Sequence, residues 1–448
     1  MKRKIISIVL TLALVVSSLV IGTSAMAADG YENSAAITAG ADRLVETQNA
    51  DGGWDWGDMA GTTSISDAAS PKNTVGVTAL GLLSGYHVNS NQAYLDAAEL
   101  AAAYITANHL AANRMRAPDM TFLVELSDIT GNAAYLTTAQ DGWSAILATH
   151  TTATSFGNYI VAARNSQIAI WDLNLYVVGL MAIGETADAI ELAAVTETAV
   201  GTYLDETKDY YSLALSGAIE TYALTGVNTG AIGGLSAALI GLGNTDVQST
   251  AYAVMALLRI NADVSSGISY LLSTQDGSGG FIETDGSEYT EPDSEAVQAL
   301  YAYAVAVKAA QEAQEQAEYQ AEQTAEQAYK VQWRATHHSF TMSQGGTSKG
   351  KMSSDGTVTE AITIVGTYNN NQYKLEIDSG CTISSRNLYF LTITDTYLVS
   401  SFGACKFTKP VTVSKFVNGE WVVLGTFTEI VEDPGEGARM ITGTATFN

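Results

Sequence analysis

Acidic or amide side chains stand at intervals along this sequence, each at the start of an apolar helical segment. The six positions are Asn73, Asp119, Asp172, Asp209, Asp246 and Asp293. Asp and Asn are favoured helix N-caps, each stabilising its helix by about 1 kcal/mol. Glycoside hydrolysis also needs carboxylates, one on each side of the scissile bond. We therefore take Asp119, Asp172, Asp246 and Asp293 as candidate catalytic residues, with helix capping as the alternative interpretation.

Two glutamates, Glu125 and Glu220, lie inside otherwise apolar helical segments. Burial of a carboxylate without a partner is costly, so each side chain should face an open space or a cation. We add Glu125 to the candidate catalytic residues. A salt-bridged structural role is the alternative for both glutamates.

Aromatic residues lie close to several of these acids. Trp171 directly precedes Asp172, Tyr210 follows Asp209, and Trp56 lies in the loop before the segment that starts at Asn73. A sugar ring stacks on an aromatic face while carboxylates bind its hydroxyl groups, so Trp56, Trp171 and Tyr210 are candidate substrate-binding residues. Packing in the core is the alternative for each of them.

Arginines cluster near the same segment starts. Arg116 precedes Asp119, and Arg164 precedes the segment that contains Asp172. Both are candidate substrate-binding residues, and they would suit a lyase that acts on an acidic glycan. The surrounding acidity opposes an anionic substrate unless a metal ion intervenes.

An acidic loop offers a metal site. Glu283, Asp285 and Glu288 are followed closely by Glu291, Asp293 and Glu295, with no basic residue among them. Oxygen ligands of this kind suit Ca²⁺, which is the candidate cofactor, with Glu283, Asp285 and Glu288 as its predicted ligands. The spacing matches no EF-hand loop, and a solvated acidic loop is the alternative.

A long helical region must position these side chains. Between residues 30 and 308, apolar residues recur at helical spacing, interrupted by Gly, Asn and Pro. The resulting segments are 33–47, 73–86, 91–108, 119–130, 133–149, 167–184, 186–204, 209–225, 230–243, 246–260, 263–274 and 293–307. Every second segment is apolar on nearly all sides, as expected of a buried helix, and the others are more amphipathic. Six inner and six outer helices predict an (α/α)6 toroid, with the acids around one mouth.

One stretch of the chain occurs twice. Residues 44–54 (LVETQNADGGW) and 271–281 (LLSTQDGSGGF) align without a gap, and each leads from a helical end through a turn to Gly-Gly and an aromatic residue. This corner resembles the prenyltransferase and squalene oxidase repeat, and the matching residues are Gln48, Gly52, Gly53, Trp54, Gln275, Gly279, Gly280 and, in place of Trp, Phe281. The resemblance implies the α/α toroid of the terpenoid cyclase and protein prenyltransferase superfamily, in which these residues have a structural role.

The best-known reactions of that superfamily need motifs that this sequence lacks. The chain contains neither the Asp-x-Asp-Asp run of class II terpene cyclases nor the Asp-Asp pair of class I synthases. The predicted helical region has no Cys for the zinc site of protein prenyltransferases, and the thioester run Gly-Cys-Gly-Glu-Gln is absent. The resemblance therefore predicts a fold and no particular reaction.

The N-terminal residues predict export. Lys2, Arg3 and Lys4 precede an apolar run over residues 5–21 and the small-residue pattern Ala25-Met26-Ala27, which together are typical of a secretory signal peptide, residues 1–27. No later apolar run is long enough to span a bilayer. The net charge of −26 disfavours nucleic acid and anionic membranes as partners. We expect a protein that is secreted or held at the extracellular surface.

The C-terminal third has a different pattern. Residues 308–332, rich in Ala, Gln and Glu, predict a solvated helical spacer, with a partner-binding acidic face as the alternative. Residues 333–448 alternate polar and apolar positions between turn signals, which predicts an antiparallel β-sandwich. The only two cysteines, Cys381 and Cys405, lie there and are either disulfide-bonded or buried thiols.

The sequence thus predicts a toroid over residues 28–307, a spacer over 308–332 and a β-sandwich over 333–448. We expect the toroid to bind or cleave an extracellular glycan at its mouth, as a hydrolase or a lyase. One alternative is a non-catalytic carrier of a small molecule, because the layout resembles that of cobalamin carriers. A surface or adhesion protein is the other alternative. The sequence leaves the substrate, the catalytic pair and the oligomeric state open.

Overall fold

The computed structural model describes residues 31–55, 70, 74–111, 114–339, 347–353, 355–368, 370–385, 393–394, 397–398, 404–432 and 439–446. The predicted signal peptide, Trp56 and Asn73 lie outside these residues. The chain divides into two compact units, Met1–Gln314 and Glu315–Asn448. The first unit is helical, and an antiparallel sheet dominates the second.

Thirteen α-helices are present in the described residues. They are α1 (Ser34–Glu46), α2 (Val75–Asn89), α3 (Gln92–Ile105), α4 (Ala117–Thr130), α5 (Ala133–His150), α6 (Ala153–Arg164), α7 (Ile168–Ile183), α8 (Thr186–Tyr203), α9 (Tyr211–Thr225), α10 (Ile232–Leu242), α11 (Val247–Arg259), α12 (Ser265–Thr274) and α13 (Thr290–Thr336). A π-helical turn, Thr106–Leu110, extends α3, and a short 3₁₀ turn, Thr229–Ala231, precedes α10. The mostly helical fold with a C-terminal sheet is confirmed.

Each of the twelve predicted helical segments coincides with a helix, and two features differ from the prediction. Helix α6 was not predicted, because Gly157 and Asn158 interrupt a short apolar pattern in which Phe156 and Ile160 are the only large buried side chains. The last predicted segment and the spacer form a single helix of 47 residues, α13. Ala, Gln and Glu favour a helix without any apolar stripe, so the chain continues as helix beyond the end of the core.

The helices differ in how much of their surface is buried. In α2, twelve of fifteen residues are buried, and in α9 residues 213–222 are buried without a break. Such helices have no polar face to turn toward water, so other helices must surround them. In α3 the buried residues instead follow one stripe that includes Ala97, Ala98 and Ala101. Helices α2 and α9 are thus buried on nearly all sides and α3 on one side, as predicted for each of these three helices.

One set of helices, which comprises α2, α4, α7, α9, α11 and α13, forms contacts in chain order. Contacts join α2 to α4, α4 to α7, α7 to α9, and α9 to α11. At its N-terminal end α13 meets α11, where Gln248 donates to Glu295 over 3.0 Å. It also meets α2, where the Ser294 hydroxyl donates to the Val77 carbonyl over 2.7 Å. Each of these helices therefore touches two others of the same group.

Neighbouring buried helices run in the same direction at two of these contacts. Gly76 in the first turn of α2 lies against Asp119 in the first turn of α4, and further along His87 bonds to Glu125 over 3.0 Å. In α7 and α9, Gly217 packs against Trp171, while Asn174 bonds to Thr221. The helix starts of each pair, which carry the predicted site residues, therefore lie at the same end.

The two repeated corners make the same contacts. Gln48 Nε2 donates to the carbonyl of Gly52 and, over 2.9 Å, to the carbonyl of Ala97 in α3. In the second corner Gln275 Nε2 donates to Gly279 and, over 2.9 Å, to Ala36 in α1. The glutamine thus satisfies a carbonyl in its own turn and one in a neighbouring helix. The first corner docks on the next amphipathic helix, and the second corner docks on the first helix of the chain.

The second unit contains an antiparallel sheet with the strand order β1-β10-β9-β8-β4-β3-β2. Its strands are β1 (His337–Ser339), β2 (Thr347–Met352), β3 (Val358–Tyr368), β4 (Asn371–Ile377), β5 (Ile383–Ser385), β8 (Cys405–Val417), β9 (Glu420–Glu432) and β10 (Arg439–Gly443). Strand β5 pairs with β8 outside that order, and β6 (Ile393–Thr394) and β7 (Tyr397–Leu398) form a separate pair. Asn418 and Gly419 form the turn between β8 and β9, as predicted.

The predicted disulfide between Cys381 and Cys405 is not formed. Both residues are buried thiols in the core of the sheet. The pairing of β5 with β8 places Cys405 opposite Ser385, whereas the Cys381 thiol lies 3.7 Å from the carbonyl of Lys409. Four residues of strand span about 13 Å, and a disulfide needs Cα atoms within about 7 Å. Strand register therefore keeps the two thiols apart.

Candidate functional site

Four of the predicted site residues come together at one cavity. Arg116, Arg164, Trp171 and Asp172 line a cavity of about 420 Å³, which we call the Trp171 pocket. Its other charged and aromatic lining residues are Phe156, Tyr159, Tyr176 and Glu291. The pocket thus combines two arginines and two carboxylates with four aromatic rings.

Helix ends bring these side chains together. Helix α6 ends at Arg164, Asn165 adopts the left-handed conformation that favours a helix stop, and α7 begins three residues later. Arg164 and the first turn of α7 therefore flank one short connection. Arg116 immediately precedes α4. Pro118 lies in the first turn of this helix, where a backbone amide has no partner within the helix, so the missing amide of proline loses no hydrogen bond.

Burial and ion pairing compete at Asp172. Arg164 forms an ion pair with Asp172, whose side chain is 16% exposed. Burial raises the pKa of Asp172, and the attraction of Arg164 and of Arg116 opposes this only in part, so the pKa lies above its usual value. A carboxyl group of this kind holds its proton to higher pH than an exposed one, which is the property a general acid needs.

Aromatic rings form the other wall of the pocket. Tyr176 lies four residues after Asp172 on α7, packs edge-on against Phe156, and donates to the carbonyl of Met115 over 3.3 Å. Tyr159 on α6 presents an exposed ring. The Trp171 ring packs against the ring of Tyr252 in α11. The ring centres are 5.4 Å apart, and the two ring planes are nearly perpendicular. The rings provide flat apolar faces beside the charged groups.

A buried acid lies next to the carboxylate that α13 contributes. Glu295 lies one turn after Glu291, is fully buried, and accepts from Gln248 over 3.0 Å. Burial raises its pKa well above the usual value, and Glu291 adds to the shift. Burial and Glu295 likewise raise the pKa of Tyr252. Glu295 therefore holds its proton to higher pH than an exposed glutamate, and it lies next to Tyr252, whose ring contacts Trp171.

Asp119 does not line the Trp171 pocket, but it contacts Arg116, which does. Its carboxylate accepts from the amide of Arg116 over 2.9 Å and lies 2.6 Å from Nδ1 of His109. The Asp119 and His109 side chains are both buried. Asp119 therefore fixes the segment that carries Arg116. His109 was not a predicted partner, and its place in a π-helical turn gave no periodic signal.

The other predicted carboxylates have separate structural partners. Asp246 caps α11, where it accepts from the amide of Ser249 over 2.7 Å. Asp293 accepts from the amide of Phe281 over 2.6 Å and is fully buried. Glu125 bonds to His87, and Glu220 bonds to Arg259 over 3.1 Å. These four residues do not line the Trp171 pocket.

The predicted calcium ligands are not brought together. Glu283 accepts from the amide of Val247, Asp285 accepts from the amide of Ser287, and Glu288 forms a buried ion pair with Arg43 at 2.7 Å. Within the described ranges, no cluster of three or more His, Cys, Asp or Glu side chains could hold a metal ion. Each carboxylate has a different partner, and the charge of Glu288 is neutralised by an arginine that lies 245 residues away in the sequence.

Tyr210 lines a different cavity. This cavity of about 890 Å³, the Tyr210 pocket, is bounded by the end of α8, the start of α9 and the connection from α6 to α7. Trp56, the third predicted aromatic ligand, lies outside the described residues. The structure therefore separates the predicted aromatic residues instead of gathering them at one point.

Sequence reasoning missed Phe156, Tyr159 and Tyr176. Tyr176 carries a usable signal, since residues i and i+4 share one face of a helix and Asp172 was already a candidate. Phe156 and Tyr159 lie in α6, the helix that was not predicted, so nothing related them to Asp172.

Comparisons with known proteins give no family for this chain. No protein-family model matches the sequence, and no curated protein matches it. Helices long and apolar enough to cross a membrane do not occur in the part of the chain that the structure describes.

Proposed function

We propose that the protein is secreted, that its helical unit is an (α/α)6 toroid related to the prenyltransferase and squalene oxidase repeat family, and that it binds an extracellular glycan in the Trp171 pocket. The order of contacts among the buried helices supports the toroid, because α13 meets both α11 and α2. The docking of the second corner on α1 supports the same closure. In the C-terminal unit, the register shifts within the long strands β8 and β9 favour a sheet that bends into the predicted sandwich.

The main evidence for glycan binding is the set of residues that line the Trp171 pocket. Exposed and half-buried rings offer the flat faces on which sugars stack, and Asp172, Glu291 and the two arginines offer acceptors and donors for hydroxyl groups. The cavity is of a size that suits a small part of a glycan chain. Its position beside the starts of α4, α7 and α13 supports placing it at the mouth predicted from the sequence.

Hydrolysis is a second candidate function, favoured by the raised pKa of Asp172 and by the presence of Glu291 in the same pocket. Asp172 would protonate the leaving oxygen, and Glu291 would act as the second carboxylate. The reaction requires Asp172 in its protonated form. We therefore expect the rate to fall as pH rises through the pKa of Asp172, which lies above its ordinary value.

Titration of the purified protein with a panel of neutral and acidic polysaccharides tests both functions. We expect Tyr159→Ala to weaken binding roughly three- to tenfold, since an aromatic contact is worth about 0.5–1.5 kcal/mol. Tyr319→Ala is the matched control, because Tyr319 on α13 is exposed to the same degree and does not line the pocket. If glycans are also cleaved, Asp172→Asn should abolish the release of reducing ends, whereas the exposed Asp128→Asn should not. Equal affinities of the Tyr159 and Tyr319 variants for every glycan, or no binding at all, would contradict the proposal.

A further inference from the structure

The Tyr210 pocket adjoins the Trp171 pocket. Both cavities are lined by the connection between α6 and α7: Ala163 and Arg164 face the Trp171 pocket, while Asn165, Ser166 and Gln167 face the Tyr210 pocket. These five residues are consecutive in the sequence. A ligand that crosses this connection would therefore reach from one cavity into the other.

Tyr210 is held in a backbone conformation that tyrosine rarely adopts. Its φ angle of 67° lies in the left-handed region. The other described residues with positive φ, apart from glycine, are Asn, Ser or Thr: Asn33, Ser90, Thr151, Asn165, Asn228, Asn261, Asn370 and Asn418. Asparagine adopts this conformation at much lower cost, and the tyrosine is not needed for packing, because 57% of its side chain is exposed. A strained, exposed aromatic residue indicates a role outside the core.

A buried glutamine forms hydrogen bonds to the backbone of the loop before Tyr210. Gln167, which is 3% exposed, donates to the carbonyls of Lys208 and Asp209 and accepts from the amide of Asp205 over 3.0 Å. The side chain that lies at the start of α7 therefore holds the loop that ends in Tyr210. This arrangement fixes the backbone that leads into Tyr210, a lining residue of the pocket, before any ligand arrives.

The charges at the two pockets indicate which glycans they would accept. Asp205, Glu206, Asp209 and Lys208 line the Tyr210 pocket, which therefore has more negative than positive groups. In the Trp171 pocket, two arginines balance Asp172 and Glu291. Neither cavity has the excess positive charge that a polyanionic chain would require.

We propose that the Tyr210 pocket is a second sugar-binding subsite, and that the ligand is an uncharged oligosaccharide long enough to occupy both pockets, with one of its rings stacked on Tyr210. This inference rests on the proposed function of the Trp171 pocket. It adds a requirement for chain length and excludes acidic glycans. Polar groups around Tyr210 would bind the hydroxyl groups of that sugar.

The test compares Tyr210→Asn with the wild type, using a neutral gluco-oligosaccharide series from disaccharide to hexasaccharide and a uronic acid series of the same lengths. Wild-type affinity should rise with length in the neutral series only. In Tyr210→Asn we expect the affinity for the hexasaccharide to fall roughly three- to tenfold and the affinity for the disaccharide to stay unchanged. The melting temperature should rise by about 2 °C or more, because Asn relieves the backbone strain. A tyrosine with a purely structural role would lose stability in this variant and keep its affinity.

Tyr159→Ala separates this inference from the function on which it rests. That variant should weaken the binding of short and long oligosaccharides alike. If it does so while Tyr210→Asn binds the hexasaccharide as tightly as the wild type, the second subsite is refuted and the proposed function stands. Tighter binding of the uronic acid series would refute the preference for uncharged chains. If the wild type binds none of these glycans, both proposals fail.

Discussion

A buried group of charges lies behind the second repeated corner. Arg43 of α1 bonds to both carboxylate oxygens of Glu288, at 2.7 and 3.1 Å, and both side chains are almost completely buried. Asp293 lies beside them. Burial and the charge of Glu288 raise the pKa of Asp293 well above its usual value, although the amide of Phe281 and Arg43 oppose this. One arginine neutralises one carboxylate, so the second carboxyl group holds its proton to higher pH than an ordinary aspartate.

The raised pKa of Asp293 makes the stability of the protein depend on pH. The pKa of Asp293 is raised in the folded state, so its contribution to stability is complete below its unfolded pKa and is lost as pH rises through its folded pKa. Asp293→Asn keeps the acceptor for Phe281 and removes the titration. We expect the wild type to gain free energy of unfolding relative to Asp293→Asn as pH is lowered from alkaline values toward 5, measured by urea denaturation. The buried Glu295 also titrates, but it is present in both proteins, so its contribution cancels in the difference between their free energies of unfolding. If the free energies of unfolding of the two proteins change in parallel with pH, Asp293 is ionised in the folded state across that range.

At the scale of elements, the second corner depends on a glycine that no other residue can replace. Gly279 has a φ of 96°, and a Cβ atom there would collide with the carbonyl of Ala39 in α1. Gly277, two residues earlier, has open space around it and no positive φ. We expect Gly279→Ala to lower the free energy of unfolding by about 2 kcal/mol or more, from left-handed strain and loss of close packing, and Gly277→Ala to change it by less than about 1 kcal/mol. Chemical denaturation of the two variants measures the difference, and equal losses would exclude a specific contact between the corner and α1.

Local patterns predicted the elements of this chain better than they predicted its site. Periodicity identified the helices wherever the apolar stripe was long, and failed at α6, where it was short. Arg116, Arg164, Trp171 and Asp172 were selected because they lie close to predicted helix starts, and all four line the Trp171 pocket. Helix starts alone do not show that the side chains of Asp119 and Asp293 are buried. Asp119 bonds to His109, which lies in an irregular turn, and Asp293 accepts from the amide of Phe281. The ion pair of Arg43 with Glu288 joins residues 245 positions apart, and no local signal encodes it.

At the scale of the whole helical unit, a closed ring and an open array respond differently to damage at one contact. In an open array each repeat is stabilised only by its neighbours, so a weakened end frays and leaves the rest intact. In a closed ring, the contact between the second corner and α1 is where the first and last helices meet. Weakening that contact removes a constraint that all the helices share.

Hydrogen exchange in Gly279→Ala distinguishes the two cases. We expect amides of α7 and α9, which make none of the contacts of the second corner, to lose protection by a similar factor to those of α1 and α12. At about 2 kcal/mol of destabilisation the exchange rates should rise roughly thirtyfold in all four helices, because a cooperative unit opens as a whole. Gly277→Ala should change the exchange rates by less than about fivefold in every helix. Faster exchange confined to α1, α12 and the start of α13 would mean that the helices form an open array, and the toroid would have to be abandoned even if the glycan site is correct.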